Sequence, residues 1–138
     1  MNKTWDFGLG VALGISGFYG LSLASALWVA RVDPLDYLWA LLLSAAICCI
    51  FGLVVAWRAS LTLAAAVVML ILVVIGFIAG TDQYLWVMPF PRDVVALFFH
   101  GSRSPLVVGP TFLIGAAAVF GLLRAKRSVA PVQGPVEE

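Results

Sequence analysis

The sequence predicts an all-α integral membrane protein, a four-transmembrane-helix bundle with a short interfacial helix between the third and fourth spans. Three observations carry this. Hydrophobic residue types make up 63% of the 138 residues and charged types only 11%, whereas soluble domains run near half apolar and a quarter charged. A water-soluble globule of this size has too little interior to hide that surface, and disorder needs the opposite composition. The charged residues also divide the chain into four long uncharged runs, Phe7–Ala30, Tyr37–Trp57, Ala59–Thr81 and Ser104–Leu123, of 24, 21, 23 and 20 residues. Finally, Trp5, Trp28, Trp39, Trp57 and Trp86 fall at or just beyond the ends of these runs, where amphipathic rings settle at the headgroup level.

A helix needs about 20 apolar residues to cross the hydrocarbon, so each run is long enough. Helices follow because a chain in lipid must satisfy its own backbone hydrogen bonds, and no run alternates with period two. The expected spans are about 7–30, 37–57, 60–80 and 104–123, within a single membrane domain over residues 1–127. Residues 128–138, with Pro131, Gly134, Pro135 and two terminal glutamates, read as a disordered cytoplasmic tail.

The first span is rich in small residues. Gly10 and Gly14 form a GxxxG pair, continued by Ser16 and Gly20. Small residues let helix backbones approach closely in lipid, where water supplies no driving force. One such face would pack within the bundle and another would meet a second protein. Lys3, the apolar stretch and Ala24-Ser25-Ala26 also outline a secretory signal. The length of the run, its glycines and Asp6 favour a retained span.

Arg31–Asp36 connects the first two spans. The second contains Cys48 and Cys49. Neighbouring helical cysteines point apart, so they read as buried reduced thiols. Arg58 alone separates the second span from the third. A fused helix over both runs would be about 68 Å long, so Trp57-Arg58-Ala59-Ser60 must be the tip of a tight hairpin. The third span, almost wholly Ala, Val, Leu and Ile, has no polar stripe and is expected to be the most lipid-exposed of the four, or a passive packing element.

Asp82–Arg103 is the one long connection. Pro91 suits a helix start, Asp93 its first turn and Gly101 its stop, which predicts a short amphipathic helix over Arg92–His100. Val95, Phe98 and Phe99 share one side; Arg92, Ala96, His100 and Arg103 lie along another. Such a helix would lie in the outer interface or fold over the bundle as a lid. Arg92, Asp93, His100 and Arg103 are the candidates for holding an anionic headgroup or small polar ligand. In the fourth span Pro105 fits the first turn and Pro110 is a potential kink.

Four spans place both termini on one side. That side carries Lys3, Arg58, Arg124, Lys126 and Arg127, the other Arg31, Arg92 and Arg103. The basic bias predicts a multi-pass protein of the cell membrane with both termini in the cytoplasm.

Several chemistries are disfavoured. No cofactor, metal site or nucleic-acid partner is expected, and no residue is picked out as catalytic. One histidine does not supply the usual haem ligation. The spans lack ionisable Asp, Glu, Lys, Arg and His, which proton-coupled transport generally needs. No phosphate-binding glycine loop, zinc-protease motif or nucleophile elbow is present. The expected function is that of a non-catalytic accessory or stabilising subunit, docking through Gly10, Gly14, Ser16 and Gly20 onto a membrane-protein partner or a second copy. The alternative is an oligomeric transporter or lipid-handling protein, its path lined by Ser16, Tyr19, Ser22, Ser25, Ser44 and Thr111. An enzyme acting on a lipid headgroup would need Asp93 or His100 as base beside Arg92 and Arg103.

Overall fold

The computed structural model describes residues 3–30, 34–79 and 92–128. The described residues form five helices: α1 (Lys3–Ala30), α2 (Pro34–Trp57), α3 (Ala59–Ile78), α4 (Arg92–Arg103) and α5 (Pro105–Ser128). Four of them, α1, α2, α3 and α5, are long and apolar enough to cross a membrane. Residues 31–33, residues 80–91 with Trp86, and the tail beyond Ser128 lie outside the described residues.

Glycine contacts fix the direction of each helix. Gly10 lies against Leu61 and Ala64 of α3, and Gly14 against Ala65 and Val68. The two numberings rise together, so α1 and α3 are parallel. Gly17 meets Phe51 of α2 and Gly20 meets Ile47, and the Trp28 ring lies 5.0 Å from that of Tyr37. These numberings run opposite ways, so α1 and α2 are antiparallel. Gly115 against Ala66 and Gly121 against Ala59 make α5 antiparallel to α3. The long helices therefore run up, down, up, down. The start of α1 and the end of α5 share one end of the bundle, the terminal end, and α4 occupies the other.

The hairpin between α2 and α3 turns on a single non-helical residue. Arg58 is extended, with φ −150° and ψ 85°. Its amide still donates to the Val54 carbonyl, and its own carbonyl accepts from Leu61. At the terminal end the Arg58 Nη1 donates to the Asp6 carboxylate in the first turn of α1. The N-terminus of a helix favours that negative charge.

Of the two alternatives expected for α3, the lipid-exposed one is corrected. This helix is among the best-packed spans, and α2 is the most exposed, with 11% of its apolar window buried against 33% for α3. The buried residues of α3 are Thr62, Ala65, Ala66, Met69, Val73 and Gly76. Their spacing makes one helical stripe, but a stripe of size rather than polarity. Such a stripe is invisible to hydropathy when every residue around the helix is apolar. Around it Phe18, Leu21, Phe51, Met69, Val107 and Ile114 form the core. Because α2 buries only a narrow face, Cys48 and Cys49 are exposed free thiols, not buried ones.

Gly101 does not end α4, which continues to Arg103. A helical glycine marks a stop only when nothing needs its missing side chain. Here Gly101 is buried against Ser22 and Phe18 of α1. The chain breaks instead at Ser104. The Ser104 Oγ accepts from the Leu106 amide at 3.3 Å, and Pro105 takes the first helical position of α5, where no amide is needed. The helix continues through Pro110.

Candidate functional site

Among the described residues, a hydroxyl–imidazole cluster joins elements where α4 meets α1 and α5. It contains His100, Ser25 and Ser104. The Ser25 hydroxyl is 3.1 Å from the His100 Nε2 and 2.5 Å from the Ser104 hydroxyl. With the imidazole neutral and its hydrogen on Nδ1, a single polarity satisfies both hydroxyls: Leu106 donates to Ser104, Ser104 to Ser25, and Ser25 to His100. Bonds oriented head to tail in this way strengthen one another.

Three local features build the cluster. Ser104 is in place because it caps α5. Ser25 lies three residues beyond Ser22 on the same side of α1, a side kept thin enough for α4 to approach. His100 faces inward because its neighbours are small: Gly101 seats on Ser22 and Ser102 seats on Gly76 of α3. Both serines also bond their own helix, Ser22 to the Phe18 carbonyl at 2.7 Å and Ser102 to that of Phe99 at 3.1 Å. The ring of Phe98 completes the seat, 5.7 Å from that of Phe18.

A serine hydroxyl on an imidazole Nε2 is the pairing that activates a nucleophile. The geometry here does not serve that chemistry. Ser25 is 1% exposed, its second side is filled by Ser104, and no acidic group is bonded to the imidazole among the described residues. The cluster instead ties three helices together at a point where unpaired hydroxyls would cost about 1–3 kcal/mol each.

Of the headgroup candidates whose side chains are described, Asp93 and Arg103 are exposed while His100 turns inward onto Ser25. Asp93 stands two turns from His100, about 10 Å along the axis. The Arg92 side chain lies outside the described residues. Arg103 and Ser102 border a cleft of about 290 Å³ walled by Val73, Phe77 and Val108. No group of three or more metal-ligating side chains occurs among the described residues.

Gly10, Gly14 and Gly20 of α1 are used within the chain. A methyl group added at Gly10, Gly14 or Gly20 would come within 2.8 Å of a neighbour on α3 or α2, so a partner helix has no access to them. Ser16 alone of that set is exposed. Four of the six hydroxyls expected to line a path are committed elsewhere. Ser22, Ser44 and Thr111 each donate to the carbonyl four residues back in their own helix, and Ser25 is held by His100 and Ser104.

Sequence reasoning chose His100 but missed Ser25 and Ser104 as its partners. The available signal was the pairing of Ser22 and Ser25 on one side of α1 with Gly101, Ser102 and Ser104 directly after the histidine.

The fold defines a multi-pass helical membrane protein. No protein-family model matches the chain, and neither a curated protein nor a solved structure matches it.

Proposed function

We propose that the chain is a non-catalytic accessory or stabilising subunit that works by helix–helix association within the membrane. One observation carries this reading. On α2, Ala45, Cys49, Gly52 and Ala56 are all exposed, and nothing lies within 4 Å of a side chain added at Gly52. Their spacing places them in one narrow stripe on the side of α2 opposite Ile47 and Phe51. Such stripes are where helices approach closely in lipid. On α1, Gly10, Gly14 and Gly20 are already packed against α3 and α2 while Ser16 stays exposed, so the open stripe of α2 takes over most of the docking role that sequence spacing gave to Gly10, Gly14, Ser16 and Gly20. The partner is another membrane protein or a second copy of the chain.

In this reading the membrane is the cell membrane. The terminal end, with Arg58 and the cluster Arg124, Lys126 and Arg127, faces the cytoplasm, and α4 sits at the outer interface. The closed Ser25–His100–Ser104 cluster keeps α4 docked and holds the bundle rigid for assembly.

Cys49 supplies the test, because it lies on the stripe. The Cys48→Ser variant, in native membranes, is treated with a short thiol–thiol crosslinker. A covalent adduct of defined mass, either twice the chain or the chain plus one partner, is expected, and it should vanish in Gly52→Leu. Absence of any adduct, together with recovery of a lone monomer in several mild detergents, would overturn the reading.

A further inference from the structure

At the terminal end, α1 and α2 part to leave an apolar groove of about 470 Å³, with Leu9 and Leu13 on one wall, Ile50 and Leu53 on the other, and Trp57 and Arg58 at its mouth. The volume lies within the range of about 300–1,000 Å³ typical of small-molecule sites. The groove extends along about two turns of α2, roughly 10 Å, and it lies on a different side of α2 from the small-residue stripe.

Arg58 is the single residue between two apolar spans, one ending at Trp57 and the next starting at Ala59, which places its guanidinium near the headgroup level. Its side chain is 43% exposed. A guanidinium carries five N–H donors. The carboxylate of Asp6 takes one hydrogen bond from Nη1, and a guanidinium has the donors to hold a second acceptor at the same time. At this depth the available acceptor is a lipid phosphate, which the planar fork of arginine matches in geometry. Arg124, Lys126 and Arg127 stand exposed at the same end, so the surroundings favour a net negative headgroup.

We infer that this groove holds one anionic glycerophospholipid, its phosphate on the Arg58 guanidinium and the first part of an acyl chain between α1 and α2. The site is at the opposite end of the bundle from Arg92, Asp93, His100 and Arg103, and it does not depend on the proposed association through α2.

The full chain is reconstituted in vesicles of equimolar phosphatidylglycerol and phosphatidylcholine and extracted into mild detergent. Retained lipid is then counted by native mass spectrometry. The wild-type chain should keep one phosphatidylglycerol, enriched about tenfold over phosphatidylcholine. Leu53→Trp fills the groove from an already exposed position and should lose the retained lipid, as should Ile50→Trp. Arg58→Gln removes the charge and should keep lipid with the enrichment largely lost. Leu113→Trp, on the exposed face of α5, should behave as wild type. Retention in both groove-filling variants, or equal retention of the two lipids by the wild-type chain, would overturn the inference.

Discussion

Gly14 offers the sharpest test of how the bundle is held together. A methyl group at this position would sit 2.7 Å from the Ala65 carbonyl oxygen and 3.0 Å from the Val68 Cβ. The first distance is about 0.7 Å short of ordinary contact. The obstructing atom is backbone, so no side-chain rotation relieves it and α1 must move away from α3. Overpacking of this kind costs about 1–3 kcal/mol. Alanine also gains about 1 kcal/mol of helix propensity over glycine, which would mask part of the loss. Gly8 is the internal control: it lies on the same helix, and nothing is within 4 Å of an added methyl. Gly8→Ala takes the propensity gain alone. The difference between the two variants therefore isolates the packing term, and Gly14→Ala should be less stable than Gly8→Ala by about 1–3 kcal/mol. Unfolding in mixed micelles, followed by far-ultraviolet circular dichroism against the mole fraction of dodecyl sulfate, measures it. Equal midpoints, or a higher midpoint for Gly14→Ala, would refute the close α1–α3 contact.

Further substitutions probe the other contacts. Ser104→Ala removes both the cap of α5 and the partner of Ser25, and should lower stability by about 1–2 kcal/mol, with faster hydrogen exchange confined to α4 and the first turn of α5. Phe51 is 2% exposed and fills the space over Gly17; Phe51→Ala should cost about 3–5 kcal/mol, while Leu53→Ala, two residues away and 67% exposed, should stay within about 0.5 kcal/mol. Asp6→Asn breaks a partly exposed ion pair and should cost no more than about 1 kcal/mol, less at high salt. Gly101→Ala places a methyl on the Ser22 side chain and should displace α4, read as increased protease cleavage within residues 92–103.

The long helices were legible because their signal is local. Length, absence of charge and the need to satisfy the backbone in lipid place α1, α2, α3 and α5 within a few residues of their observed bounds. The hairpin at Arg58 followed from length alone. The burial pattern was not legible, because hydropathy ranks residues by preference for water and nearly every candidate on α3 is apolar. Val67 ranks above Ala65 on such a scale, yet Ala65 is buried and Val67 exposed. Gly101 misled for a related reason: its local grammar is that of a helix stop, and only its distant neighbour Ser22 explains why the helix continues. The inward turn of His100 is likewise a tertiary effect, set by seats on α1 and α3 that lie far away in the chain.

The same physics explains how so apolar a chain selects one arrangement. In lipid, exchanging one aliphatic neighbour for another changes the solvation energy little, so hydrophobicity cannot fix the register of helix against helix. Size can. Phe51 of α2 seats over Gly17 of α1. Sliding α2 by one turn would carry it to Leu13 or Leu21, both too large to receive the ring. Gly14 lies against Ala65 of α3, and a one-turn slip in one direction would drive Phe18 into the same alanine. At the α4 end the rule repeats with Gly101 on Ser22 and Ser102 on Gly76. There two glycines set the depth at which His100 can reach Ser25. The hydroxyl–imidazole cluster then closes only in the register that these size matches allow, which makes it a check on the packing rather than its cause.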